Sequence, residues 1–199
     1  MIKLDNVTFA YGEKRVLKNF SYTFPDKGVF AIMGESGTGK TTLLRLLGGL
    51  ETPHSGRIES THAKTAFAFQ EPRLIPWLDC QNNINFVLPK EKQGLNIATS
   101  LLRDLDLDTY AEKLPNTLSG GMKQRLSLAR ALAVGADLLL LDEPFSALDE
   151  ALKERIALRV KEANPRGLTI LVTHDKKDAE LLDAKILTLK SIPHSVFEE

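Results

Sequence analysis

The sequence predicts an α/β fold with a mostly parallel core sheet, an N-terminal antiparallel β subdomain and an inserted helical subdomain. Three observations carry that expectation. Gly28 to Leu50 passes from an apolar strand through a glycine-rich turn into a leucine-rich amphipathic helix. Two largely apolar runs, Leu138–Leu141 and Leu168–Val172, broken only by Thr169, flank a segment of helical periodicity, the strand–helix–strand pattern of a parallel sheet covered on both faces. Residues 1–24 instead alternate, with Ile2, Leu4 and Val7 answered by Phe20, Tyr22 and Phe24, as in an antiparallel hairpin or meander with one solvated face.

Taken in order, Tyr11-Gly12-Glu13 supplies the turn within the first β region, and Pro25 to Gly28 ends it. Val29 to Met33 reads as a buried strand. Gly34, Glu35, Ser36, Gly37, Thr38 and Gly39 then lead into a helix opening on Lys40, Thr41 and Thr42, which is the layout of a phosphate-binding P-loop. Such glycines let the backbone fold into a nest of inward N–H groups, and the helix N-terminus adds partial positive charge. Lys40 can reach the β- and γ-phosphates, and the Thr41 hydroxyl is placed to ligate Mg²⁺. The loop therefore predicts binding of a nucleoside triphosphate.

After Gly48-Gly49 and the turn Pro53 to Gly56, short strands are expected around Arg57–Ser60 and over Thr65–Phe69. From Glu71 the pattern changes. Pro72, Pro76, Pro89 and Pro115 punctuate it, and between Gly94 and Leu107 the residues Ile97, Leu101 and Leu105 recur at helical spacing. This predicts a helical lobe inserted at about 71–134 in a chain that otherwise forms one domain. Within it, Ser119-Gly120-Gly121 opens a helix with Met122, Leu126, Ala129 and Ala133 on one face and Gly135 as its stop. Ser119 there reads equally as a helix cap or as a second anion site. The strand Leu138–Leu141 delivers Asp142 and Glu143 to its C-terminal edge, where open α/β sheets bind ligands. Leu148, Leu152, Ile156 and Val160 mark a further helix, and Lys185–Leu189 a last strand before the tail.

Composition narrows the function classes. The 199 residues are 43% hydrophobic, enough for a core, and carry 26 basic and 26 acidic side chains. No basic excess or stripe supports nucleic-acid binding. Cys80 is the single cysteine, so no intrachain disulfide forms. No run approaches the ~18 apolar residues of a membrane span. The N-terminus has no apolar signal core. A cytoplasmic protein is expected, with any membrane role exercised through a partner.

The string LSGGMKQR at 118–125, between a GESGTGKTT loop and an LLLLDEP strand end, resembles the ATP-binding subunit of ABC transporters, a P-loop NTPase. The resemblance covers essentially the whole chain in order: Tyr11, the P-loop, Gln70, 118–125, Asp142-Glu143, Ser146 to Asp149, and His174. It implies that Tyr11 stacks on adenine, that Asp142 holds Mg²⁺ with Thr41 and Gln70 nearby, and that Glu143 orients and polarises the attacking water. It further implies that His174 contacts the γ-phosphate and steadies Glu143, and that Asp149 contacts a dimer partner. ATP and Mg²⁺ are the implied cofactors. No residue reads as an arginine finger; by resemblance that side of the γ-phosphate is covered by Ser119, Gly120 and Gly121 of a second copy, in a head-to-tail pair. The other implied partners are permease subunits on the inner face of the membrane and, indirectly, a substrate-binding protein.

The run Gln70 to Trp77 is similar to the QEPRLLPW segment of importer ATPases for nitrate, sulfonate and taurine, whose relatives also handle thiamine-precursor pyrimidines. By resemblance it faces the permease, though Pro76 and Trp77 fit simple lobe packing as well. One pattern departs from the family's: after His174-Asp175 the family often has an acidic residue then alanine, and here Asp178-Ala179 stands in, a conservative change. An ATP-gated dimerising module with little hydrolysis is the competing expectation, and the intact carboxylate of Glu143 speaks against it.

Overall fold

The computed structural model describes residues 1–93, 96–146, 148–190 and 197–198. Gly94, at the start of the expected helical face, and Ala147, within the segment 146–149, lie outside the described residues. The alternating N-terminal region forms β1 (Ile2–Tyr11) and β2 (Lys14–Phe24), paired antiparallel. Ile2, Leu4, Val7, Leu17, Phe20 and Phe24 are buried from it, while Tyr22 is only half-buried. β4 (Ser55–Ser60) pairs with the other edge of β1, so the small sheet has the order β2-β1-β4.

The second sheet has the order β5-β6-β7-β3-β8-β9, from β3 (Gly28–Met33), β5 (Thr65–Ala68), β6 (Leu138–Asp142), β7 (Leu168–Val172), β8 (Lys185–Leu189) and β9 (Phe197–Glu198). All its pairs are parallel except β8 with β9, a short strand in the tail where the sequence pattern suggested no element. The runs are apolar apart from Thr169, itself buried and bonded by Asn164 at 3.3 Å, because both faces are covered. Leu138 and Leu140 of β6, with Leu168 and Ile170 of β7, pack among α1 (Lys40–Leu47) and the small sheet. Leu139, Leu141 and Leu171 point the other way, into a cluster shared with the remaining helices. Full burial of such side chains stabilises by roughly 1.5–3 kcal/mol each.

Between β5 and β6 lie α2 (Cys80–Asn85), α3 (Ile97–Asp104) and α4 (Gly120–Ala133). The buried face of α3 is turned one residue from the expected one: Ala98, Leu102 and the following Leu105 are buried, and Ile97 and Leu101 only half-buried. α3 packs against both α2 and α4, so two contacts rather than one stripe set its rotation. The chain then reverses at Asp106, whose φ is 53°, which stops the helix short of Leu107. α4 is likewise covered on more than a stripe, with Leu126, Leu128, Ala129, Ala131 and Leu132 buried and Met122 and Ala133 half-buried. α5 (Glu150–Ala163) starts after Leu148, because the Asp149 carboxylate accepts the Leu152 N–H at 2.9 Å and caps it there. α6 (Lys176–Leu181) follows β7.

Candidate functional site

The C-terminal ends of β3, β6 and β7 deliver Gly34–Gly39, Glu143 and Thr173-His174 to one edge of the parallel sheet. The loop after β3 needs its glycines for backbone reasons. Gly39 sits at φ 99°, and a Cβ there would lie 2.5 Å from Val16 Cγ1 of β2. Gly34, at φ 143°, would drive a Cβ to within 2.5 Å of the Leu189 carbonyl oxygen. These close approaches clamp the loop between β2 and β8, so its shape is set before any ligand arrives. The first intrahelical bond of α1 is Leu43 N–H to Gly39 O at 2.8 Å. The N–H groups of Lys40, Thr41 and Thr42 thus open the helix without intrahelical acceptors, as at every helix start.

Lys40 Nζ donates to the carbonyls of Gly34 and Glu35, each at 2.8 Å. Partial burial holds its ammonium below the usual lysine range, against the pull of the Glu143 and Asp142 carboxylates. Thr41 Oγ1 lies 3.3 Å from Asp142 Oδ1, to which it donates. Asp142 is 3% exposed. Burial pushes its carboxyl above the ordinary range, and the neighbouring Glu143 charge adds to that, while the Thr41 hydrogen bond, Arg45 and Lys40 oppose it. A buried carboxylate with a hydroxyl beside it is a hard-oxygen pair, the donor chemistry that suits Mg²⁺ when phosphates and water complete its shell. Among the described residues no cluster of three or more His, Cys, Asp or Glu side chains could hold a metal by itself.

Glu143 adopts φ 50°, unusual for a residue with a side chain, and its N–H donates to Val172 O at 3.0 Å. Its Oε1 is 3.7 Å from Nδ1 of the exposed His174. A cavity of about 290 Å³ brings together Tyr11, Ser36, Gly37, Gly39, Lys40, Thr41, Thr42, Gln70 and Glu143, close to the lower end of the usual range for small-molecule sites. Tyr11 stands at its rim, its ring edge-to-face with Phe9 at 5.0 Å and its hydroxyl 3.5 Å from both Glu51 Oε1 and an Arg45 guanidinium nitrogen.

Not every expected residue lines that cavity. Gly34, Glu35 and Thr38 face a separate cleft beside β8, with Thr188, Leu189 and Lys190. Asp142 lies behind the wall rather than in it, and His174 stands beside Glu143, outside the lining. Ser119, Gly120 and Gly121 are not part of the lining either. Ser119 Oγ accepts the Met122 N–H at 3.3 Å and so caps α4, leaving that helix end at the surface.

Lys14, Val16 and Val172 line the cavity although nothing in their type or spacing marks them. Lys14 and Val16 arrive through the β1–β2 register, in which Lys14 pairs with Tyr11. Gln124, within the 118–125 string, and Ser146, which opens the 146–149 segment, had no role of their own in the sequence, and both bond the Glu143 main chain. Gln124 sits inside the 118–125 string, yet only its placement in space gives it that partner.

The comparisons with known proteins agree with this geometry. Residues 17–146 match the family model described as ABC transporter. The aliphatic sulfonates import ATP-binding protein of Corynebacterium glutamicum is 43% identical over 196 residues, covering 94% of this chain and 80% of that protein. The protein of the same name from Mycobacterium avium is 40% identical over 195 residues, covering 94% of this chain and 77% of that one. Among solved structures, an ATP-binding cassette in a dimeric post-hydrolysis state bound to ADP and Pi superposes with a TM-score of 0.86 at 30% identity, covering 100% of this chain and 97% of that chain. A dimeric bacterial ABC transporter cassette gives a TM-score of 0.87 at 31% identity, with the same coverage. With the phosphate loop, the Asp142-Glu143 strand end and the α4 cap in the places described, the chain belongs to the ABC transporter family, as one of its ATPases.

Proposed function

We propose that this ATPase drives import of aliphatic sulfonates or a chemically similar small anion, working as a head-to-tail pair of copies against permease subunits on the cytoplasmic face of the membrane. The observation that carries the chemistry is the convergence of Lys40, Thr41, Gln70 and Glu143 on one cavity. Lys40 and the loop N–H groups would neutralise charge on the β- and γ-phosphates of ATP. Glu143 would accept a proton from water as the water oxygen bonds to the γ-phosphorus and the bond to the β–γ bridging oxygen breaks, leaving ADP and phosphate. His174, beside Glu143, would steady that carboxylate and the departing phosphate. Thr41 and Asp142 would hold Mg²⁺, with Gln70 across the cavity, and the ion would offset phosphate charge.

Pairing is supported by what the cavity lacks. Ser119, Gly120 and Gly121 are not among the residues that line the cavity of their own chain. A second copy presenting that helix end would complete the site, and the superposable cassettes are dimers. Among the described residues no helix is long and apolar enough to cross a membrane, which supports a peripheral place on permease partners, with a substrate-binding protein acting on the far side. The sulfonate assignment is supported by the names of the relatives and by the Gln70–Trp77 run.

The test is growth of a strain lacking this chain on an alkanesulfonate as sole sulfur source. Growth should fail there, persist on sulfate, and return with the wild-type chain but not with Glu143→Gln. Unimpaired growth on the sulfonate would reject the substrate, and failure confined to nitrate, taurine or a pyrimidine precursor would name another.

A further inference from the structure

We propose that Gln124 is the residue that positions Glu143 for hydrolysis, tying its main chain to the helix that opens at Ser119 of the same chain. This rests on Glu143 being the carboxylate that orients water. Glu143 holds a left-handed φ of 50°, a conformation that a residue with a β carbon keeps only where its surroundings over-determine it. Its N–H donates to Val172 O at 3.0 Å, and its carbonyl accepts from Gln124 Nε2 at 3.0 Å, from Ser146 Oγ at 3.1 Å and from Ser146 N at 3.3 Å.

The direction of each bond follows from the donors available. A main-chain carbonyl only accepts, so the Gln124 amide must turn Nε2 toward it. The second N–H of that amide goes to Ser146 Oγ at 3.0 Å, and the Ser146 proton is then free to point at Glu143 O. All three protons are used with no conflict. The bonds from Ser146 close a local turn, whereas Gln124 comes from α4, 19 positions earlier.

Gln124 therefore makes the orientation of the Glu143 carboxylate depend on where α4 lies. In the paired arrangement proposed above, α4 opens on the nucleotide bound by the other copy. Each copy's own water-activating carboxylate would then be set by the helix that senses its neighbour's phosphate, and the link between the two sites would run through one side-chain amide.

Gln124→Glu keeps the size of the side chain and removes both N–H donors. At neutral pH, kcat should fall about 100-fold, the cost of small misplacement at a reacting centre, with KM for ATP and the affinity for a fluorescent ATP analogue unchanged. Gln124→Ala should do the same, and Ser146→Ala, which removes the Ser146 hydroxyl's bonds to Glu143 O and Gln124 but leaves the Gln124 bond to Glu143 O, should cost less. In a Glu143→Gln background, Gln124→Glu should add no further loss. Wild-type kcat in a Gln124→Glu protein with an unchanged unfolding temperature would overturn the proposal. So would a parallel loss of kcat and nucleotide affinity in both Gln124 variants. If Glu143→Gln itself turned over normally, the failure would lie in the reading of Glu143. If Glu143→Gln were slow and Gln124→Glu were not, the failure would be that of the Gln124 link alone.

Discussion

The Thr41 hydroxyl and Asp142 Oδ1 meet at 3.3 Å although 101 positions separate them in the chain. β3 and β6 both flank β7, so the helix after one strand and the carboxylate ending the other come together above the same sheet edge. Asp142 is nearly fully buried, and the Mg²⁺ role proposed for it would require it charged, an arrangement that costs folding energy for the sake of the site. Asp142→Asn should therefore raise nucleotide-free stability by about 1 kcal/mol while abolishing Mg²⁺-dependent turnover. Thermal unfolding and ATPase assays on the same preparation check both halves, and a destabilised Asp142→Asn protein would show that the carboxylate is structural.

Lys40 donates to the Gly34 and Glu35 carbonyls across the mouth of the loop. Lys40→Ala is expected to lose most of its nucleotide affinity with little change in fold. An unchanged titration with a fluorescent ATP analogue would remove the P-loop from the binding site.

Ser119 lies at the exposed start of α4, away from the cavity of its own chain. Ser119→Arg should abolish hydrolysis while leaving ATP binding by the isolated chain nearly intact, because in the proposed pair its target is the neighbouring copy. Mixing Ser119→Arg with Lys40→Ala chains should restore one functional site per pair. Binding and turnover lost together in the single variant would contradict the paired arrangement.

Beneath His174 lies an ionic cluster. Lys153 Nζ reaches Asp178 Oδ1 at 2.8 Å and Asp175 Oδ2 at 3.4 Å, and Thr173 Oγ1 donates to Asp178 Oδ2 at 2.7 Å. Burial alone would depress the Lys153 ammonium, but the hydrogen bonds and charges of Asp178 and Asp175 outweigh it and hold it above the usual lysine range. A raised folded value means that the charged form stabilises the fold fully below the unfolded lysine value and that this contribution is lost as pH rises through the folded one. Lys153→Met should cost about 3 kcal/mol at pH 8, because Asp178 is left buried without its partner. The gap to wild type should narrow as the pH rises past the ordinary lysine value of about 10.4. Denaturant unfolding at the two pH values decides it: a pH-independent gap would mean that Lys153 acts through packing.

How far residues alone reveal this molecule depends on range. Strands buried on both faces announce themselves, and Leu138–Leu141 and Leu168–Val172 lie where their apolar runs put them. The P-loop was legible because its glycines, lysine and threonine are adjacent in the chain and each answers a local backbone or phosphate demand. The rotation of α3 was not legible, because packing against α2 and α4 chooses Ala98 and Leu102 over Ile97 and Leu101. Val16, which closes over Gly39, and Lys14 were hidden for the same reason, since only the hairpin register brings them to the loop. Gln124 shows the limit most clearly. Its amide is unexceptional until the fold sets the Glu143 carbonyl 3.0 Å away.

The measurement that tests the whole account most directly is single-turnover and steady-state ATP hydrolysis by Glu143→Gln at saturating Mg²⁺-ATP, with pairing followed by sedimentation. The expected result is normal ATP binding, a stable nucleotide-bound pair and turnover reduced by about 100-fold or more. Steady hydrolysis at the wild-type rate would contradict it, because the cavity around Lys40 would then be working without the carboxylate on which the mechanism depends.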